Sequence, residues 1–305
     1  MNQQKSNQAA SAAAAVAAII CAAGASTRMG GVKKEYRPLP GAVAACGSLT
    51  VLGAAISAFA AVAAVKTIII AVPADPATGE AAARNALPPS LLAGGVPSIH
   101  FVTGGATRRA SVFNALSFLA EQKLPVNIAL IHDGARPWVS PSLIQRVIDG
   151  VAKYRAVIPL LPLTETPKEI DSPLSDEAGA VMIKRHLKRV LIGAAQTPQG
   201  FAFPEILEAH RAAHQQATAQ DDSLHETFTD DAEVWAAFCG PVAAIPGEPE
   251  NRKITFPEDL ELIPQLINHG VSQRVFVSKT PCSSVYSVVK SVQQLFRRDN
   301  SLCSE

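Results

Sequence analysis

Several short segments of this chain pair small residues with cations or carboxylates in a way that suits a phosphate-bearing ligand. The first is Ala22-Ala23-Gly24-Ala25-Ser26-Thr27-Arg28-Met29-Gly30-Gly31, followed by Lys33-Lys34-Glu35-Tyr36. Small side chains let backbone N–H groups approach an anion closely, and Arg28 and Lys34 place charge beside it. The spacing is neither that of a P-loop nor GxGxxG, so alone it reads equally as a surface turn with solvated cations. The second is Thr103-Gly104-Gly105-Ala106-Thr107-Arg108-Arg109-Ala110-Ser111-Val112. A Gly-Gly turn opening a helix offers backbone donors and acceptors to the edge of a planar base, with Ser111 either adding a hydroxyl or capping the helix. In the third, His132-Asp133-Gly134-Ala135-Arg136-Pro137, one carboxylate suits a hydroxyl or metal and one guanidinium suits a phosphate. The alternative for Asp133 and Arg136 is a mutual salt bridge, and His132 is expected to pack rather than react. Three further elements are Gln196-Thr197-Pro198-Gln199-Gly200-Phe201, with Arg189 seven residues earlier; Thr229-Asp230-Asp231-Ala232; and Glu250-Asn251-Arg252-Lys253-Ile254-Thr255.

Short apolar runs precede most of these loops: Val16–Cys21, Thr67–Val72, Ser98–Val102, Asn127–His132, Ala156–Leu160 and Val242–Ile245. They are rich in Ile, Val and Ala without strict alternation, as strands buried on both faces are. Helical stretches lie between them at Thr50–Ala63, Arg109–Glu121, Ser140–Tyr154, Pro204–Gln216 and Asp230–Phe238, several with hydroxyl or carboxylate caps. Strand alternating with helix predicts a doubly wound α/β domain with a mostly parallel sheet and its ligand crevice at the strands' C-terminal ends. Leu163–Lys188, with Pro167, Pro173 and mixed charge, reads as an excursion from the sheet, a hairpin arm. His210 and His214 stand one helical turn apart and are expected on a solvated face, since no third ligand accompanies them.

Composition narrows the function classes. The 305 residues carry 27 basic and 26 acidic side chains, a net charge of +1 that gives no sequence-independent hold on nucleic acid. Any anionic ligand must be held by a few placed cations. Five scattered cysteines, without CxxC spacing, fit a reducing compartment better than a disulfide framework or a zinc site. Residues 9–25 are small or apolar apart from Ser11 and imitate a secretory signal. Because they run directly into the Gly24 loop, the expectation is a first strand from Val16 behind an Ala-rich leader (1–15) in a cytoplasmic protein without a membrane span. Residues 268–305 form a separate, basic tail.

Taken together and in order, the signatures AAG…TRMG, GG..R..SV, HD.ARP, AQTPQ.F, TDDA and NRKIT.PEDL resemble the 2-C-methyl-D-erythritol 4-phosphate cytidylyltransferase family, in register over residues 16–267. The resemblance implies transfer of CMP from CTP to methylerythritol phosphate, with release of pyrophosphate. It implies that Arg28, Lys34, Arg189 and Lys253 act at the reacting phosphate. Ala22, Ala23, Gly24, Gly105, Ala106, Ser111 and Asp133 would hold the nucleotide, and Asp133, Arg136, Thr166, Arg189, Thr229 and Lys253 the sugar phosphate. It further implies a homodimer in which the 163–188 arm carries Thr166 and Arg189 to the neighbouring subunit, and Mg²⁺ held mainly by the triphosphate rather than by the chain. Family members carry Pro-Lys-Gln where this chain has Lys33-Lys34-Glu35, so Lys33 and Lys34 both stand as the catalytic amine, with Tyr36 favouring Lys34. Ribitol 5-phosphate as acceptor, or a nucleotide-binding protein without catalysis, are the alternatives.

Overall fold

A computed structural model describes residues 15–26, 29, 33–44, 47–171, 180–219 and 228–261. Arg28, residues 1–14 of the leader and the 268–305 tail lie outside the described residues. The strands are β1 (Val16–Cys21), β2 (Pro38–Ala44), β3 (Gly47–Thr50), β4 (Val65–Val72), β5 (Ser98–Thr103), β6 (Ile128–Asp133), β7 (Ala156–Pro162), β8 (Lys168–Ile170), β9 (Ile183–His186), β10 (Gly193–Ala195), β11 (Gln199–Ala202) and β12 (Ala243–Pro246). The helices are α1 (Val51–Ala60), α2 (Glu80–Asn85), α3 (Pro89–Leu92), α4 (Arg108–Glu121), α5 (Pro141–Tyr154), α6 (Glu205–Ala219), α7 (Asp231–Phe238) and α8 (Glu258–Glu261).

The main sheet has the order β10-β7-β11-β6-β1-β4-β5, with β12 also paired to β7. β1 runs parallel to both β4 and β6, and β4 to β5. β11 enters antiparallel between β6 and β7, and β10 adds antiparallel to β7. β1 is central, and its alternation divides the interior. Val16, Ala18 and Ile20 face a layer with Leu52, Ile56 and Phe59 of α1 and Leu143, Val147 and Val151 of α5. Ala17 and Ile19 face the other layer, with Val112, Leu116 and Leu119 of α4, Ile206 and Leu207 of α6 and Trp235 of α7. Five of its six residues are fully buried, so Val16–Cys21 is a strand of the folded core.

Helix starts follow their caps. Thr50, Thr107, Ser140 and Asp230 accept the N–H of Gly53, Ala110, Leu143 and Glu233 at 2.9–3.1 Å, and Pro141 supplies a preset first turn to α5. After β5 the chain returns across β1 to β6, so the strand order reverses beside β1. Open α/β sheets bind ligands at such a switch point. The Leu163–Lys188 excursion is seen as the two-stranded β8–β9 hairpin, separate from the main sheet. No described helix is long and apolar enough to cross a membrane.

Candidate active site

A cleft of about 440 Å³ opens at the C-terminal ends of β1, β5 and β6. Its walls include Ala23, Gly24, Ala25 and Ser26 after β1, Gly105, Ala106 and Ser111 after β5, and Asp133 and Ala135 after β6. Among the described residues, Lys34, Arg108 and Lys253 supply its cations. A second cavity of about 260 Å³ adjoins it, lined by Thr107, Arg108, Arg109, Phe228, Thr229, Asp230 and Asp231. Arg108 belongs to both.

Local sterics explain the glycines of the second loop. A Cβ on Gly104 would stand 2.4 Å from the Ala23 Cβ and 2.8 Å from Ser111 Oγ, and one on Gly105 would meet the Ala110 Cβ at 2.4 Å. Ser111 Oγ accepts from the Gly105 N–H at 3.0 Å and donates to the Thr107 carbonyl at 2.9 Å, which locks this loop onto the first turn of α4. Gly24 differs, because a Cβ there would meet nothing within 4 Å. The fold does not demand its bareness, whereas a ligand approaching the backbone would.

The two lysines of the first loop have separate surroundings. Lys33 Nζ is 3.3 Å from Glu35 Oε2 and donates to the Gly24 carbonyl, with both side chains of the ion pair buried. Burial pulls the Lys33 pKa down against the opposing pull of Glu35. Lys34 lines the cleft and donates to the Ile254 carbonyl at 2.8 Å. That carbonyl adjoins Lys253, and the Ile254 N–H donates to Ala135 O at 2.8 Å. Ile254 itself packs with Met29, Leu39, Val51 and Leu260, an apolar knot that fixes the Lys253 segment against the β2–β3 hairpin. Sequences 220 residues apart thus meet around one cleft.

Asp133 sits among three cations: Lys253 Nζ at 2.9 Å, Arg108 Nε at 3.4 Å and Arg136 Nε at 3.6 Å. Burial alone would raise its pKa, but Arg108, Lys253 and Arg136 outweigh it and hold the carboxyl well below the usual range. Asp133 and Arg136 do form the mutual salt bridge weighed from the sequence, yet Asp133 remains on the cleft wall. Arg136 Nη1 also donates to the Asn251 carbonyl at 2.8 Å. Behind them, the Thr197 hydroxyl accepts from the Asp133 N–H at 3.1 Å and lies 3.0 Å from His132 Nδ1. His132 Nε2 is 3.2 Å from the Arg136 carbonyl. This geometry suits a neutral ring protonated on Nε2, and burial lowers its pKa to about 4. His132 packs edge-on against Phe59, in keeping with the packing expected of it from the sequence. Asn251 Nδ2 donates to Thr197 O at 2.8 Å, and Gln196 Nε2 to the carbonyls of Glu248 and Asn251. The AQTPQ and ENRK motifs therefore form the polar frame under Asp133 and Lys253.

The remaining candidates fall in three groups. Ala22 is fully buried in the core beneath the cleft, its N–H bonded to Ala71 O, and does not line the wall. Thr229 lines the smaller cavity, and its N–H donates to Glu233 Oε2 at 2.7 Å. Thr166 and Arg189 are exposed at the base of the arm, away from both cavities of their own chain, with Arg189 donating to the Thr164 carbonyl. The expectation for His210 is corrected: α7 covers that face of α6, and His210 is fully buried 3.2 Å from Asp231. His214 is exposed and stacks on Phe113. Sequence reasoning also passed over Arg108, Cys21 and Glu35 on the cleft wall. The central Arg of GG..R..SV was a signal for Arg108 that the helix assignment, begun at Arg109, obscured. Burial pushes the Cys21 thiol up to about 12, so it stays protonated at neutral pH.

Comparison with known proteins adds identity to this geometry. Residues 16–268 match the family described as IspD, 2-C-methyl-D-erythritol 4-phosphate cytidylyltransferase. A bifunctional enzyme IspD/IspF of Nitrobacter winogradskyi is 43% identical over 158 residues, covering 51% of this chain and 35% of that protein. A 2-C-methyl-D-erythritol 4-phosphate cytidylyltransferase of Bacillus mycoides is 37% identical over 162 residues, 53% of this chain and 63% of the relative. The chain thus spans about a third of the bifunctional relative's length. The crystal structure of the 2-C-methyl-D-erythritol 4-phosphate cytidylyltransferase from Thermus thermophilus superposes with a TM-score of 0.58 at 28% identity, covering 83% of this chain and 99% of that one.

Proposed function

This chain belongs to the 2-C-methyl-D-erythritol 4-phosphate cytidylyltransferase family, and from that premise we propose that it transfers CMP from CTP to 2-C-methyl-D-erythritol 4-phosphate in the cytoplasm. A phosphate oxygen of the acceptor attacks the α-phosphorus of CTP, the new P–O–P bond forms, and pyrophosphate leaves with the bond between the α- and β-phosphates. The acceptor phosphate is already an anionic nucleophile at neutral pH, so the reaction asks for in-line positioning and neutralised charge rather than a general base.

The observation that carries this reading is the convergence of Lys34 and Lys253 on one cleft whose other wall is the crowded Gly104-Gly105 turn with Ser111. The turn offers the backbone edge for cytosine and ribose. Lys34, Lys253 and, from the same loop as Lys34, Arg28 neutralise the α-phosphate as it becomes pentacoordinate. Removing one such charge typically costs about 3–4 kcal/mol of transition-state stabilisation. Asp133, Arg136 and Thr229 take the acceptor's hydroxyls and phosphate. Thr166 and Arg189 complete the site of a second subunit, with the arm as the dimer contact.

Mg²⁺ belongs to this reading as the partner of the triphosphate. Among the described residues no cluster of three or more His, Cys, Asp or Glu side chains is arranged for a metal, and the cleft carboxylates Glu35 and Asp133 are both ion-paired. A donor set of this kind suits an ion carried in by phosphate oxygens.

Pyrophosphate release from CTP tests the proposal, with methylerythritol phosphate and ribitol 5-phosphate supplied separately. Turnover is expected with the first. Turnover with ribitol phosphate alone, or none with either, overturns it.

A further inference from the structure

Beneath the cleft runs a chain of ionisable side chains that the roles above do not explain. His210 on α6 is fully buried, its Nε2 3.2 Å from Asp231 Oδ1, and among the described residues neither ring nitrogen makes a well-aligned hydrogen bond. Asp231, at the first turn of α7, is 1% exposed, and its Oδ2 accepts from Arg108 Nη1 at 2.7 Å. Arg108 Nε lies 3.4 Å from Asp133 Oδ1. Alternating partners therefore connect the interior between α6 and α7 to the carboxylate on the cleft wall.

A phenyl ring would fill the His210 space without leaving a buried ring nitrogen unpaired. What the imidazole adds is a fixed partner for one oxygen of Asp231. With Oδ1 facing His210 and Oδ2 facing Arg108, the Asp231 carboxylate can hold only one orientation. Burial alone would raise its pKa, and Arg108 first, then His210, overcome this and keep it charged. Arg108 is the long, 30% exposed side chain shared by both cavities, and its planar fork is gripped between two carboxylates. Released on the Asp231 side, it could turn into the larger cavity and draw Asp133 with it.

We propose that His210 and Asp231 are positioning residues that hold Arg108 at the junction of the two cavities, so that Arg108 fixes Asp133 for the hydroxyl groups of a polyol-phosphate acceptor. The proposal rests on the cytidylyltransferase reading. It predicts a defect that falls on the acceptor, because the Gly105 turn is held by its own bonds with Ser111, and neither these nor the Gly24–Ser26 loop use the Asp231 side chain.

The test compares His210→Phe, His210→Gln and Asp231→Asn in the full chain. Calorimetry reads the dissociation constant of methylerythritol phosphate on protein saturated with a non-hydrolysable CTP analogue, and separately that of the analogue. His210→Phe and Asp231→Asn are expected to weaken acceptor binding about tenfold, equivalent to about 1.4 kcal/mol, with the analogue unaffected. His210→Gln, whose amide N–H can reach Asp231, is expected to recover most of the loss. Arg108→Lys, which keeps charge but loses the fork, gives the same comparison should a ring-removed variant fail to fold. Unchanged acceptor affinity, equal weakening of both ligands, or no recovery with Gln overturns the relay. Wild-type protein that binds methylerythritol phosphate but releases no pyrophosphate overturns the catalytic reading and leaves the relay to be judged on affinity.

Discussion

The Lys33–Glu35 ion pair brackets Lys34 in sequence, and it invites a double-mutant test. The two charges are 3.3 Å apart with side chains 7% and 6% exposed. Their gross attraction is about 5 kcal/mol at an effective dielectric constant of about 20. Desolvation offsets much of this, so the net value of the pair is small while the cost of breaking it from one side is not. Lys33→Met leaves Glu35 buried with the Ser26 hydroxyl, 3.4 Å away, as its remaining hydrogen-bond partner among the described residues, a loss of about 3–5 kcal/mol. Glu35→Gln leaves Lys33 with the Gly24 carbonyl, and about 1.5–3 kcal/mol is lost. The double variant removes both charges and is expected within about 1 kcal/mol of the parent, a coupling of about 3 kcal/mol or more. Urea unfolding at 25 °C measures all four proteins. Pyrophosphate release separates the lysines: the double variant retains activity within about tenfold, whereas Lys34→Met loses about 10²–10³-fold. Losses that add to within about 0.5 kcal/mol refute the pairing argument. A double variant as inactive as Lys34→Met refutes the assignment of the catalytic amine.

Further outcomes follow from the geometry. His132 has a folded pKa of about 4 against an ordinary value of 6.5, so the unfolded chain binds its proton first; this contribution is present above pH 6.5 and lost as pH falls towards 4. It amounts to about 3 kcal/mol, and urea midpoints across that window should show a slope that His132→Asn lacks. Gly24→Val meets open space and should alter stability by less than about 0.5 kcal/mol while raising the KM for CTP. Gly104→Ala drives its Cβ into Ala23 and Ser111 and should cost about 1–3 kcal/mol in the same unfolding assay. Finally, Met182, Ile183, Val190 and Leu191 are 77%, 51%, 88% and 75% exposed on and beside the arm. Sedimentation should give a dimer that Val190→Asp with Leu191→Asp converts to an inactive monomer; a monomeric, active parent protein would refute arm exchange.

The sheet was legible wherever burial on both faces wrote a continuous apolar run, as in β1, β4 and β6. Caps at Thr50, Ser140 and Asp230 marked helix starts because their side-chain chemistry is local. The β2–β3 hairpin escaped, since Pro38, Pro40 and Gly41 read as a loop and its register is irregular between Pro38 and Val43. β10 and β11 escaped for another reason: three- and four-residue strands carry too little pattern, and the antiparallel insertion of β11 is set by Phe201 reaching the α6–α7 layer. Within the site, the loops after β1, β5 and β6 announced themselves by Gly and cations. Arg108 and His210 did not, because what distinguishes them is Asp231, supplied by a helix that packs from far along the chain. Lys33 and Lys34 are neighbours in sequence and differ only in what the folded chain places beside each.

The bond from Lys34 to the Ile254 carbonyl has a consequence for biosynthesis. The loop that follows the first strand stays unfinished until the ribosome has delivered residue 254. At roughly 5–20 residues per second that interval is on the order of 10 to 50 seconds, during which β1, β4 and β6 can already pair. A growing chain thus acquires its scaffold well before the carbonyl that holds Lys34 on the cleft wall.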